Sequence, residues 1–159
     1  MSNFRTIKLG ILTLAATGAM ATAGFAFDGG DATKGEKVFK KCSSCHMIGE
    51  GAKNKVGPIL TGVIGSAAAS VEDYKYGKSI IAAGEAGLVW SEEEVFEYLA
   101  DPRKYLRAKL EDKKAKSKMS FKLKKEQDRK DVIAYLKTFS PNADAEEGEA
   151  TESEETTTN

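Results

Sequence analysis

Apolar residues recur along the middle of this chain at helical spacing, and nowhere with the convincing alternation of a half-buried strand. Asp31 offers a cap for a first helix from Ala32 to Lys41, with Gly35, Val38 and Phe39 on one face. Ser91 followed by Glu94 forms a capping-box pattern and opens a second clear helix, which runs through Val95, Phe96 and Leu99 to Ala100. Pro102 stops that helix and, after Asp101, begins another short turn. A last helix from Glu126 to Thr138 gathers Val132, Ile133, Leu136 and Phe139 on one side. A shorter one runs from Lys78 to Ala83, while Gly49 to Tyr76 is glycine-rich and aperiodic and reads as loop. The fold class expected is therefore all-α.

The ends read differently from the middle. Residues 1–26 have the form of an export signal: Arg5 and Lys8 precede an apolar run, and small residues allow cleavage after Ala23 or after Ala26. The alternative is a membrane anchor, because Leu9 to Phe27 is free of charge, close to the ~20 residues of a spanning helix, although it is rich in Ala, Gly and Thr. Residues 142–159 hold seven acidic residues, no basic ones and no large apolar side chain, the composition of a disordered tail. Residues 27–141 remain as one small domain. The formal net charge of zero hides this division, since residues 28–141 carry 22 Lys and Arg against 17 Asp and Glu. A basic body of this kind suits an acidic protein partner, and no motif points to nucleic acid.

Chemistry concentrates in Cys42-Ser-Ser-Cys45-His46, which contains both cysteines and the only histidine of the chain. A structural zinc ion wants four ligands, and these run out at three. A thioredoxin-like redox pair belongs beside a strand-helix-strand pattern, which is missing. Covalent haem attachment needs this spacing: each sulfur adds to one vinyl group, and the next residue presents its imidazole to the iron. Of the four methionines, Met1 and Met20 lie in the export segment and Met47 adjoins His46, which leaves Met119 for the opposite face. Lys118 is the one competitor, because a neutral amine can bind iron, but it must first lose a proton near a pKa of ~10.4. Imidazole and thioether together close the iron's coordination and point to electron transfer. A peroxidase or a small-ligand sensor is the alternative if the thioether is absent or displaced.

Several further segments occur in an order that resembles the class I c-type cytochromes, and within them the bacterial cytochrome c2 group, relatives of mitochondrial cytochrome c. They are Gly35-Glu-Lys-Val-Phe39, Gly57-Pro58-Ile59-Leu60, Leu88-Val-Trp90-Ser-Glu-Glu, Tyr98-Leu-Ala-Asp-Pro102, Lys118-Met119-Ser-Phe121 and Asp131-Val-Ile-Ala-Tyr135-Leu136. The insert Arg107 to Lys116 looks like that of the larger photosynthetic members. The resemblance implies helices wrapped around one covalently attached haem c, with Gly35 and Phe39 meeting Tyr135 and Leu136 where the terminal helices cross. It implies that the Pro58 carbonyl orients His46, that Tyr76 and Trp90 donate to a haem propionate, and that Tyr98 lies near the Met119 sulfur with Ser117 in the same surroundings. Two positions depart from the family: Ser66 replaces a propionate-neutralising arginine, and Ile59 replaces the asparagine of the Gly-Pro motif.

By the same resemblance Lys41, Lys53, Lys55, Lys104, Lys118, Lys122, Lys124 and Lys125 match or adjoin a docking ring around the exposed haem edge, although lysine runs alone are ordinary solvated surface. The implied protein is a monomeric, periplasmic electron carrier. Its implied donor is a membrane cytochrome bc complex, and its acceptor a photosynthetic reaction centre, a terminal oxidase, or both.

Overall fold

The computed structural model describes residues 29–140. The expected export signal and the acidic segment 142–159 lie outside the described residues. Within the described residues five helices follow one another, α1 (Ala32–Phe39), α2 (Lys78–Glu85), α3 (Glu92–Ala100), α4 (Pro102–Lys109) and α5 (Glu126–Lys137). Among the described residues the sole β feature is an isolated antiparallel bridge between Ala67 and Val89. The all-α expectation holds.

The first and last helices cross, and glycine is what lets them. A Cβ on Gly35 would stand 2.0 Å from the Asp131 carbonyl oxygen, so no other residue fits between the two backbones. Asp131 is only 4 % exposed. Its buried carboxylate is satisfied by the Asp31 N–H at 3.0 Å and the Gln127 amide at 2.8 Å, which removes most of the cost of burying it. Asp31 also caps α1, accepting from the Thr33 and Lys34 N–H groups at 2.9 and 3.1 Å. Phe39 packs on Tyr135 with ring centroids 5.5 Å apart. Val38, Phe39, Val95, Leu99, Ile133 and Leu136 then form the core beneath the crossing.

The helix boundaries depart from the sequence expectations in instructive ways. The first helix ends at Phe39 rather than Lys41, with Lys40 as its cap, because the chain tightens there into the turns that hold the Cys-x-x-Cys-His segment. The short second helix extends to Glu85. The capping box on α3 is half made: the Ser91 hydroxyl accepts from the Glu94 N–H at 3.2 Å. The Glu94 carboxylate turns away to take the Tyr105 hydroxyl and the Lys109 ammonium instead. Both lie on α4, which is a full helix of eight residues and not a short turn. Its buried side is only Pro102 and Leu106, the latter wholly enclosed with Ala68, Ala83, Leu88 and Ala115 in a second small core.

The loop from Gly49 to Tyr76 is pinned at separate points. Gly62 N–H donates to the Phe139 carbonyl at 2.8 Å and Ile64 N–H to the Ser140 hydroxyl at 3.2 Å, which ties the loop to the end of α5. Ala68 N–H reaches the Leu88 carbonyl and Trp90 N–H the Ser66 carbonyl, both at 2.8 Å. The loop and the helices thus enclose a space between them.

Candidate functional site

That space is a cavity of about 560 Å³, inside the ~300–1,000 Å³ range of small-molecule and cofactor sites. Cys42, Cys45, His46, Pro58, Tyr76, Trp90, Tyr98, Ser117 and Met119 all line it, so every expected attachment, ligand and environment position comes to one place. Val95 and Leu99 of α3, Leu106 of α4, and Val132 and Leu136 of α5 complete an apolar wall.

His46 is held by its neighbours in sequence and by one loop. Its N–H and that of Cys45 both reach the Cys42 carbonyl, at 2.9 and 3.0 Å, while the Gly57 N–H reaches the Cys45 carbonyl at 2.8 Å. The Nδ1 atom lies 2.7 Å from the Pro58 carbonyl oxygen. A carbonyl can only accept, so Nδ1 carries the proton and Nε2 is left with its lone pair, the tautomer an iron ligand needs. Burial pushes the imidazole below its ordinary value, against the opposing pull of the Pro58 carbonyl, and keeps the ring neutral. Gly57 lies flat against the ring: a Cβ there would be 2.2 Å from His46 Cε1.

Both thiols are unbridged and half-buried. Burial pushes the Cys42 thiol up to about 11, so an unattached sulfur there stays protonated in the folded domain. The donors also fit a large apolar ring with acidic substituents. Trp90 lines the site, and its indole N–H has no hydrogen-bond partner among the described residues. The Tyr76 hydroxyl accepts from Val71 N–H at 3.4 Å and keeps its own proton for another acceptor. The Tyr98 hydroxyl pairs with the Ser117 hydroxyl at 3.2 Å, two residues before Met119, and burial raises its pKa. Tyr98 also packs edge-on to Trp90, with centroids 4.9 Å apart. Free thiols, a neutral imidazole, a thioether and unpartnered donors around an apolar space are a set that fits haem.

The lysines divide. Lys41 and Lys118 line the cavity, while Lys104 and Lys122 line an adjoining depression shared with Met119. Lys53, Lys55, Lys124 and Lys125 line neither. Lys41 pairs with Asp128 at 2.7 Å, Lys122 with Asp101 at 2.5 Å, and Lys55 donates to the Ser43 carbonyl at 2.7 Å. The Lys118 ammonium donates to the Lys75 carbonyl and sits 5.9 Å over the Tyr74 ring.

Two positions that replace family residues are occupied in their own ways. The Ser66 hydroxyl donates to the Val63 carbonyl at 2.9 Å and brings no charge to the site. Ile59 lines the cavity, and its N–H donates at 3.0 Å to the side chain of Asn54, whose amide reaches the Glu72 carbonyl at 3.2 Å. Tyr74 is a lining residue the sequence reading missed. Its hydroxyl donates to the Val56 carbonyl at 2.7 Å and its ring meets Tyr76 edge-on at 4.7 Å, so the Tyr-x-Tyr spacing was the available signal.

Comparison with known proteins agrees with this geometry. The cytochrome c family profile matches residues 32–140. The chain is 53 % identical over 117 residues to cytochrome c2 iso-1 of Rhodospirillum centenum, covering 70 % of this chain and 98 % of that protein. It is 46 % identical over 134 residues to a cytochrome c2 of Rhodospirillum rubrum, covering 84 % of this chain and 99 % of that one. The solved structure of cytochrome c2 from Rhodospirillum centenum superposes with a TM-score of 0.69 at 52 % identity, over 70 % of this chain and all of that one. The sequence pattern, the helical fold and these likenesses converge: the chain belongs to the class I c-type cytochromes of the cytochrome c2 group, electron-transfer proteins that carry one covalently bound haem c.

Proposed function

We propose that this chain is a soluble periplasmic carrier of single electrons, with haem joined through Cys42 and Cys45 and its iron held between His46 and Met119. The observation that carries this reading is the Nδ1 contact of His46 with the Pro58 carbonyl at 2.7 Å, in a cavity that Met119 also lines. Bound haem would supply an Fe(III)/Fe(II) couple, and a thioether ligand from Met119 beside the His46 imidazole would raise its potential. The chain's own residues fix the ring tautomer, exclude water with the apolar walls of α3 and α5, and present Tyr76 and Trp90 as donors to acidic haem substituents. With Ser66 neutral, Tyr76 and Trp90 would offer a haem propionate hydrogen-bond dipoles and Ser66 would add no charge.

Residues 1–26 then serve as the removed signal, 27–141 as the haem domain and 142–159 as an acidic tail. The donor is a membrane cytochrome bc complex, and the acceptor a photosynthetic reaction centre or a terminal oxidase. Lys53, Lys104, Lys124 and Lys125 have side chains without ion-pair partners among the described residues, which frees them to steer an acidic partner into a brief encounter. The testing experiment is a redox titration of the visible and near-infrared spectrum on the cell-matured protein, with its mass. One-electron behaviour, a thioether-to-iron charge-transfer band in the ferric form, and a mass lacking residues 1–26 but including haem are expected. Full extraction of haem by acid acetone refutes the thioether links.

A further inference from the structure

The segment that bears Met119 has its backbone hydrogen-bonded only at its ends, while Ser117, Lys118 and Lys122 reach Tyr98, the Lys75 carbonyl and Asp101 through their side chains. From Ser117 to Lys122 no backbone N–H or carbonyl is hydrogen-bonded to another described residue. At the leading end Arg107 Nε donates to the Ala115 carbonyl at 3.3 Å and Lys116 N–H to the Ser79 hydroxyl at 3.0 Å. At the trailing end Leu123 N–H donates to the Leu99 carbonyl at 2.8 Å. One side chain then grips that end: Arg129 Nη1 donates to the Leu123 carbonyl at 3.0 Å and to the Lys124 carbonyl at 2.9 Å.

The surroundings of Arg129 are costly for an ordinary surface cation. Its Nε is buried with no hydrogen-bond partner, and no carboxylate pairs with it among the described residues. The guanidinium instead lies over the Phe96 ring, 4.2 Å from its centroid. A charge held in this way, with one donor unpaired, is stabilised chiefly by its two carbonyl contacts and the aromatic face beneath it. Those groups come from the trailing end of the Met119 segment and from α3. An ammonium, which is a point donor without a planar fork, cannot make the same set of contacts.

We propose that Arg129 is a positioning residue, the clip that holds the Met119 segment closed against α3 and α5 and so sets how readily the thioether leaves the iron. The inference rests on the reading of Met119 as ligand. Removing the clip raises the population of an opened segment, and an external ligand then competes more easily for the iron, because its apparent affinity scales with that population.

The test uses the ferric holoprotein and imidazole as the external ligand, with the near-infrared band and the thermal midpoint recorded beside it. Arg129→Gln is expected to bind imidazole about tenfold more tightly than the parent, the scale of one lost charge-assisted hydrogen bond. Arg129→Lys recovers only part of the difference. Phe96→Leu, which keeps the fork but removes the ring, shifts affinity the same way by less, and it carries the test if Arg129→Gln does not fold. Ile133→Val loosens the α5 core without removing any hydrogen bond of the segment and supplies a control with a lowered thermal midpoint and parental affinity. The proposal is overturned if Arg129→Gln gains no more affinity than Ile133→Val at equal loss of midpoint, if Arg129→Lys restores the parent fully, or if Phe96→Leu binds as the parent does. A parent without the charge-transfer band refutes Met119 ligation itself, and the clip with it.

Discussion

On the His46 side of the cavity, the N–H groups of Cys42, Ser43, Cys45 and His46 all reach carbonyls three or four residues back, and Gly57 seals the ring from behind. On the Met119 side, six consecutive residues make no backbone hydrogen bond and depend on anchors at Ala115, Lys116, Leu123 and Lys124. The first wall is built by local turns and resists displacement. The second is a suspended span whose position is set by side chains, so its opening costs the ties at its ends and the side-chain contacts of Ser117, Lys118 and Lys122 but no backbone hydrogen bond between them.

The greatest disturbance is expected where the firm wall is breached. Gly57→Ala drives a methyl group into the His46 ring and should break the Pro58 contact, costing about 3 kcal/mol or more by overpacking. Chemical denaturation of the holoprotein measures it, and a parental midpoint would show that the ring can move. Met119→Ala attacks the other wall and should be survived: haem stays covalently bound, the charge-transfer band disappears and the potential falls. Stability drops by about 2 kcal/mol, as for a half-buried side chain in a wall that can close. A variant that kept both potential and band would remove Met119 from the iron.

Tyr98→Phe probes one tie near the suspended span. It leaves the Ser117 hydroxyl without its partner, and an effect of about 1 kcal/mol on thermal unfolding is expected, with imidazole affinity rising less than in Arg129→Gln. The smallest effect on either wall belongs to truncation after Pro141. Removing seven acidic residues should leave potential and thermal midpoint unchanged while raising the association rate with an acidic partner at low salt. The difference should fade above ~0.1 M salt, where the Debye length is about 10 Å. Equal rates across a salt series would make the tail electrostatically silent.

The same contrast explains what could be read in the sequence. The firm wall is legible because its geometry is local: five consecutive letters specify the thiols, the turn and the imidazole. Helices α3 and α5 show their apolar periodicity, and α1 its cap and its glycine. Helix α4 hid its length behind Arg103, Lys104, Arg107 and Lys109, since only Pro102 and Leu106 on it are buried. Glu94 looked like half of a capping box, but its carboxylate is drawn to partners 11 and 15 residues on, which spacing within one helix cannot reveal. Met119 was reachable by elimination as a candidate that the structure places on the cavity wall, whereas Arg129 was not, because a lone arginine in a charged helix start carries no sign that its Nε is buried.

The crossing of α1 and α5 also sets an order in time. Asp31 and Asp131 meet across 100 residues of chain, and Gly35 finds its neighbour only once the final helix exists. Contacts of such long range cannot form before the final helix has been made and the closure entropy of the intervening chain has been lost. A polypeptide emerging amino end first therefore exposes Cys42 and Cys45 well before it can close around them. Between their appearance and the arrival of Asp131, both thiols stand on an open chain rather than in a finished fold.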